Sequence, residues 1–314
     1  MSETSRWAIV ATIKAPTDQI AGWAAYHLDR GATAIHIYLD DPDPGQAALL
    51  SRDLRLFITE ANGAWWASRG KPRPAALPRR QMTFARHAYR RCEQPWLAHI
   101  DVDEFILGPA LSPALDRIPP HIPMARLRVV EQLAAPDTPL TLFKKTPSQV
   151  GMEKGILESL YPNFGAHLRG GFLGHTEGKG LYRTGLSDAR PGVHTLRRRG
   201  GAIGGDEQVV LDQHWLGHCH APDWRTFRTH LETRRAGGSY GTSRDKRLTL
   251  DRLITLLLEM EGEAGLRALF DEIATARPEL VSALKSHGML VETRLDLTDH
   301  AQGLLRETRF QRSD

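Results

Sequence analysis

The chain has 314 residues, 41% hydrophobic and 25% charged, enough to bury a sizeable core and ordinary for a soluble globular protein. Its formal net charge of +4 comes more from arginine than from lysine. That excess suits an anionic small substrate or an anionic surface, and is too weak and scattered to argue for nucleic acid. Two cysteines, Cys92 and Cys219, make no disulfide framework and point to a reducing compartment. No apolar run approaches the roughly 18–20 residues that span a bilayer, and the start "MSETSRWAIVATIKAP" has neither a long apolar region nor a small-residue cleavage site. The expectation is a soluble, cytoplasmic protein, with a membrane surface as a peripheral contact to be tested.

In chain order, "WAIVATI" (7–13) reads as a buried strand, a short β-branched run without periodic polar positions. In "PTDQIAGWAAYHLDRG", residues Ile20, Trp23, Ala24 and Leu28 fall at helical spacing, with Thr17 as N-cap and Gly31 as stop. "AIHIYLD" (34–40) is a second strand, "DDPDPG" a turn, "QAALLSRD" a short helix and "LRLFIT" (54–59) a third strand. A Gly/Pro/Arg-rich loop, 62–78, leads to a helix over about 79–93 and then to the strand "WLAHI". Strands alternating with helices imply a parallel sheet covered by helices, and such sheets bind ligands beyond the carboxyl ends of their strands. The loops from Lys14, from Asp40 to Asp43 and from Asp101 to Glu104 should therefore share one crevice.

Beyond about 109 the pattern changes. Proline punctuates 109–147, which contains the strand "ARLRVVEQL"; 148–206 is glycine-rich with little helical periodicity; 207–220 reads as one more strand, ending in histidines. From Asp223 the chain reads as helical: "DWRTFRTHLETRRAGG", "RLTLDRLITLLLEMEG", then two or three shorter pieces to about 306. "RLITLLLEMEG" is too apolar for a free surface helix, so it packs on the core, or on a partner or membrane surface. Domain boundaries follow: 1–222, with halves of about 1–108 and 109–222, then a helical extension over 223–314.

The densest chemistry lies in "WLAHIDVDEFILG" (96–108). Asp101 and Asp103, two apart at the end of a strand, can face one point. Two carboxylates that close repel one another unless a cation or a shared proton offsets them. Mg²⁺ and Mn²⁺ take such oxygens and keep open positions for substrate phosphates. Glu104 would point away and act as a structural partner, for instance of an arginine. The plain alternative is a solvated turn after a strand. Phosphohydrolases of the haloacid-dehalogenase type use a similar aspartate pair, but there it continues to Thr or Val on the first strand. Here it continues Glu-Phe after three earlier strands.

Several segments together carry a resemblance. "IVATIKAPTDQIAGWAAYHLDRGATAIHIYLDD", "RRQMTFARHAY", "PWLAHIDVDEFI", "GKGLYRTG…GVHTLRR" and "HWLGHCHAPDWRTFRTHLETRRAGG" resemble glycosyltransferases of the family-2-like and family-92-like group, over about 7–238. The resemblance implies a GT-A fold, α/β and Rossmann-like with a mixed sheet, flanking helices and an acceptor-binding half. It also implies that Asp101 and Asp103 hold Mn²⁺ or Mg²⁺ on the diphosphate of a nucleotide-sugar donor. The acceptor would be a carbohydrate or lipid-linked, and transfer would invert the anomeric centre with a carboxylate base. By position it puts Lys14 and Asp40 or Asp41 near the nucleoside, and Gln81 and Arg86 near the donor phosphates or sugar. The chain departs from the group's pattern where Lys-Ala-Pro stands for Lys-Asn-Glu and "GHCHAPDW" for its His-Tyr-x-x-Lys-Ser run, which marks a divergent member.

The third metal ligand in this group is often a C-terminal histidine, for which His194 of "PGVH" and His218 of "LGHCH" are candidates. His218, Cys219 and His220 alternate as on a strand and could suggest zinc, though without a second Cys pair. His167, His175 and His230 read as polar surface. For the base, Glu153, Glu177, Asp206 and Glu207 lie in the loop-rich half. Asp206 and Glu207, after "GGAIGG", rank ahead, on a loop expected to order over the donor. The competing readings are a metal-dependent phosphohydrolase and a non-catalytic nucleotide- or carbohydrate-binding relative.

Overall fold

In the computed structural model, which describes residues 5–135, 138–236 and 249–306, β1 (Trp7–Ile13) is the strand expected at 7–13. Six of its seven residues are buried, as a strand covered on both faces requires. Helix α1 (Thr17–Asp29) follows; its N-cap is Pro16, and the Thr17 hydroxyl instead accepts from the Gln46 amide at 3.2 Å. The chain leaves α1 through Gly31 at φ +97°, where only glycine is unstrained. Next come β2 (Ala32–Leu39), α2 (Gln46–Leu50), β3 (Leu56–Glu60), α3 (Gly63–Ala67), α4 (Leu77–Tyr89), β4 (Trp96–His99), β5 (Glu104–Leu107), α5 (Ser112–Asp116) and β6 (Met124–Leu133). The stretch expected as loop at 62–78 thus contains one helical turn, started by the Asn62 side chain accepting from Trp65 N at 3.1 Å. Five residues are too few for a periodic signal.

The rest of the chain gives β7 (Thr141–Lys144), α6 (Ile156–Leu160), β8 (Lys179–Arg183), β9 (Arg190–Pro191), β10 (Leu196–Arg198), β11 (Gly201–Ala202) and β12 (Gln208–His218). Then follow α7 (Trp224–Ala236), α8 (Leu250–Met260), α9 (Glu263–Ala274), α10 (Pro278–Ser286), β13 (Leu290–Thr293) and α11 (Leu297–Arg306). Parts of the helices expected over 223–238 and 247–262 lie outside the described residues. No helix among the described residues is long and apolar enough to cross a membrane.

These elements fall into two units. The first is drawn from Met1–Arg128, Gly178–Leu216 and Asp296–Asp314, the second from Val129–Glu177 and Gly217–Leu295. The first is mixed α/β, with a sheet parallel across β3-β2-β1-β4 and closed by β8, antiparallel to both β4 and β6. Helices pack against it, an arrangement compatible with a Rossmann-like fold. Between α4 and the strands lies an apolar cluster that includes Ala8, Val10, Tyr38, Phe84, Ala88 and Leu97. Helix α11 covers α1 so closely that a Cβ on Gly22 would come within 2.7 Å of the Leu297 carbonyl oxygen. Beside the sheet, β9, β10 and β11 make a small antiparallel ribbon.

In the second unit, the end of β6 pairs antiparallel with β7, and β7 with β13, which the sequence reading took as part of a helical region. An apolar cluster joins Leu157, Phe227, Ile254, Leu266, Phe270 and Leu284. "RLITLLLEMEG" contributes Leu253, Ile254 and Leu257 to it, so that helix packs on the core of its own unit. At its polar centre, Glu131 and Lys144 are 3.4 Å apart and fully buried.

Candidate functional site

The carboxyl ends of β1, β2 and β4 are neighbours in the parallel sheet, with Ile13 opposite Leu39 and Val10 opposite His99. Each end releases charged residues. After β1, Lys14 reaches Asp41 at 2.7 Å in an exposed ion pair, whose formation holds the Asp41 carboxyl below its ordinary range. Asp41 itself adopts a left-handed conformation, φ +81°, which aspartate tolerates better than most residues. Asp40 is buried, and its two oxygens are held by Arg73 at 2.8 Å and Arg80 at 2.9 Å.

After β4 come the acids. Their repulsion is relieved by a lysine. Lys179, at the start of β8, is 1% exposed, and its ammonium lies 2.6 Å from Asp101 Oδ2 and 3.4 Å from Glu104 Oε2. Burial alone would lower this ammonium, but the charges of Asp101 and Glu104 more than offset it and hold it above the ordinary lysine value. Gln81, from α4, donates to the other oxygen of Asp101 at 2.8 Å. Glu104 does not point away. It folds back, fully buried, and accepts the Asp101 backbone N–H at 2.8 Å, so the partner expected to be an arginine is Lys179. Asp103 is half-buried in the turn between β4 and β5.

Local backbone chemistry places Lys179. Gly178 has φ +64°, and a Cβ there would collide with the Leu127 carbonyl oxygen across the β6–β8 pair. Gly178→Ala is therefore expected to destabilise the chain by about 2–3 kcal/mol in chemical denaturation; an unchanged midpoint would contradict the close approach. The Gly178 carbonyl accepts from His194 Nδ1 at 2.8 Å, which puts that candidate ligand in the shell behind Lys179. His99 is fully buried and pairs through Nδ1 with the Gly192 carbonyl at 2.9 Å. Burial, and then the nearby Lys179 charge, lower its pKa to about 4, so it is neutral at pH 7.

Of the other expected residues, Arg86 on α4 lies among Arg90, Arg190 and Arg197; burial and then their charges lower its guanidinium. Asp206 is exposed and Glu207 half-buried in a single 3₁₀ turn, Gly205–Glu207, where Glu207 accepts the Gly204 N–H at 3.1 Å and lies 3.6 Å from Arg198. Glu153 is exposed, and Glu177 is 4.0 Å from Arg169. His218 belongs to the second unit, where its ring is 4.9 Å from that of His175 and 5.1 Å from that of His220. His220 is buried, which pushes its pKa well below the ordinary value. Cys219 is half-buried, and neither cysteine forms a disulfide.

The edge of the first unit therefore gathers Lys14, Asp41, Gln81, Asp101 and Glu104 around the sheet's carboxyl ends. Sequence reasoning missed Lys179 and His99 as parts of it. The only local signals for them were a lysine between two glycines and a histidine inside an apolar strand. Chemically, two carboxylates, Asp101 and Glu104, share one ammonium, with a third acid, Asp103, two residues from Asp101. Each oxygen of Asp101 also keeps a lone pair beyond its present partner. That donor set fits a hard divalent cation held through Asp103 and Asp101. No family model matches the chain, and no curated protein is significantly similar to it.

Proposed function

We propose that the chain is a metal-dependent glycosyltransferase of GT-A type, moving a sugar from a nucleotide-sugar donor to a carbohydrate or lipid-linked acceptor with inversion. The observation that carries this reading is the acid cluster at the ligand edge of the β3-β2-β1-β4 sheet, whose Asp101 and Glu104 share one buried lysine. A divalent cation there would stabilise the departing nucleoside diphosphate. Asp103 and one oxygen of Asp101 would hold it. Gln81 and Lys179 fix the Asp101 carboxylate, Gln81 acting on that carboxylate rather than on the donor.

The exposed pair Lys14 and Asp41 is the part of the edge available to a nucleoside, because Asp40 is already committed to two arginines. Of the acids expected to act as base, Asp206 is the better suited. It is exposed, whereas Glu207 is occupied by Arg198 and the Gly204 N–H.

Turnover across a panel of nucleotide sugars with Mn²⁺ tests the proposal. Release of nucleoside diphosphate should require the metal, and Asp103→Asn should lower it at least about a hundredfold while leaving the fold intact. Hydrolysis of simple phosphomonoesters, lost in Asp101→Asn, would instead favour a phosphohydrolase.

A further inference from the structure

One ribbon of the first unit concentrates positive charge. In the antiparallel pair of β9 and β10, Arg190 lies directly opposite Arg197, and the next residue in that row, on β11, is Ala202. Directly opposed residues project to one face with Cβ atoms about 4.5–5.5 Å apart, so these two like charges repel. Helix α4 packs on β9 and brings Arg86 to the same place, where its Nε is buried without a hydrogen-bond partner. The nearest acids are already used. Asp188 accepts from Arg198 at 3.0 Å, and Glu207 lies 3.6 Å from the same guanidinium. Among the described residues no ion pair involves Arg86, Arg190 or Arg197.

Three neighbouring guanidiniums, one of them with a buried unpaired donor, form a cradle for an anion of more than one charge. A single carboxylate would leave most of the positive charge unbalanced. A phosphate or diphosphate group offers enough charge, and its oxygens match the fork of each guanidinium. The tip of the β9–β10 hairpin is closed by Gly192 N donating to Thr195 O at 2.8 Å. The same tip meets His99 through the Gly192 carbonyl and Gly178 through His194. Arg190 sits two residues back from Gly192, about 7 Å of extended chain. The arginine site thus uses a different set of side chains from the acid edge.

We infer that Arg86, Arg190 and Arg197 form a metal-independent binding site for a phosphate-bearing ligand. The site rests on the arginines alone and stands whether or not the chain transfers sugar.

Thermal unfolding of the full chain in chelator tests it, with inorganic pyrophosphate as probe and sodium chloride as the control at matched ionic strength. At pyrophosphate tenfold above its Kd, the midpoint should rise by about 2 °C in the unsubstituted chain and equally in Asp103→Asn. Arg190→Gln should weaken pyrophosphate at least tenfold, and the double variant R190Q/R197Q should show no rise. Without ligand, that double variant should unfold at the same temperature or higher, because a repulsion has been removed. A pyrophosphate shift that survives in R190Q/R197Q would overturn the inference. So would the absence of a shift in the unsubstituted chain together with sedimentation on phosphatidylglycerol vesicles but not phosphatidylcholine ones, which would make the ribbon a membrane-facing patch.

Discussion

Replacing Lys179 with methionine is expected to lower the unfolding midpoint by about 5–8 °C, the result of roughly 3–5 kcal/mol lost when a buried ion pair is left without one partner. Methionine keeps the length and apolar stem of lysine and removes the ammonium. Glu104, fully buried, and Asp101 then face each other with no cation between them. The double variant K179M/E104Q should regain part of the loss, because the uncompensated charge is removed. The pH dependence has a definite sign. The pKa of Lys179 is raised in the folded state, so its contribution is fully present below its ordinary value of 10.5 and is lost only as pH rises through the folded value. The unsubstituted chain should therefore keep this stabilisation from pH 5 to 9. The gap to K179M should narrow as acid protonates the carboxylates that the variant leaves without a cation. A K179M midpoint within 2 °C of the unsubstituted chain would show that something else neutralises the acids.

Glu131→Gln should have an effect of similar size in the second unit, about 3–5 kcal/mol. Glu131 accepts the backbone N–H groups of Leu173 at 2.9 Å and Gly174 at 2.5 Å and lies 3.4 Å from the Lys144 ammonium. That ammonium donates to the carbonyls of Gly171 at 2.7 Å and Ile273 at 2.5 Å. Burial lowers the Lys144 pKa and Glu131 partly restores it. In the variant the ammonium keeps two carbonyl acceptors and no counter-charge. Because its folded pKa lies below 10.5, the unfolded state binds the proton more tightly, and stability rises with pH between the two values. Removing Glu131 lowers the folded pKa further, so the variant gains more from alkali, and its deficit should shrink between pH 7 and pH 10. A deficit that widens over that range would contradict the pairing. K144M/E131Q should cost less than the two single changes added together, since the two side chains interact directly.

The strands β1 to β4 were legible because each is a short, mostly apolar run, and the alternation with helices gave the parallel order. The position of Asp101 at the carboxyl edge follows from that order alone. What neutralises it does not. Lys179 is 78 positions away, and its approach depends on the antiparallel return of β8, which no local pattern encodes. Glu104 misled for the same reason. Strand alternation sends it away from Asp101, while the tight turn before β5 folds it back. β13 escaped notice because four residues between helices carry no periodicity and pair only with the distant β7. The opposed arginines of the ribbon were hidden in the same way, since only the hairpin register sets Arg190 against Arg197.

The glycosyltransferase reading is tested most directly by thermal unfolding with nucleoside diphosphates, with and without Mn²⁺, in the unsubstituted chain and in Asp103→Asn. The account predicts that at least one nucleoside diphosphate raises the midpoint more with Mn²⁺ than the two ligands do separately, and that Asp103→Asn abolishes this metal-dependent part. If no nucleoside diphosphate shifts the midpoint at any Mn²⁺ concentration, the acids at the sheet edge do not hold a metal on a nucleotide-sugar diphosphate.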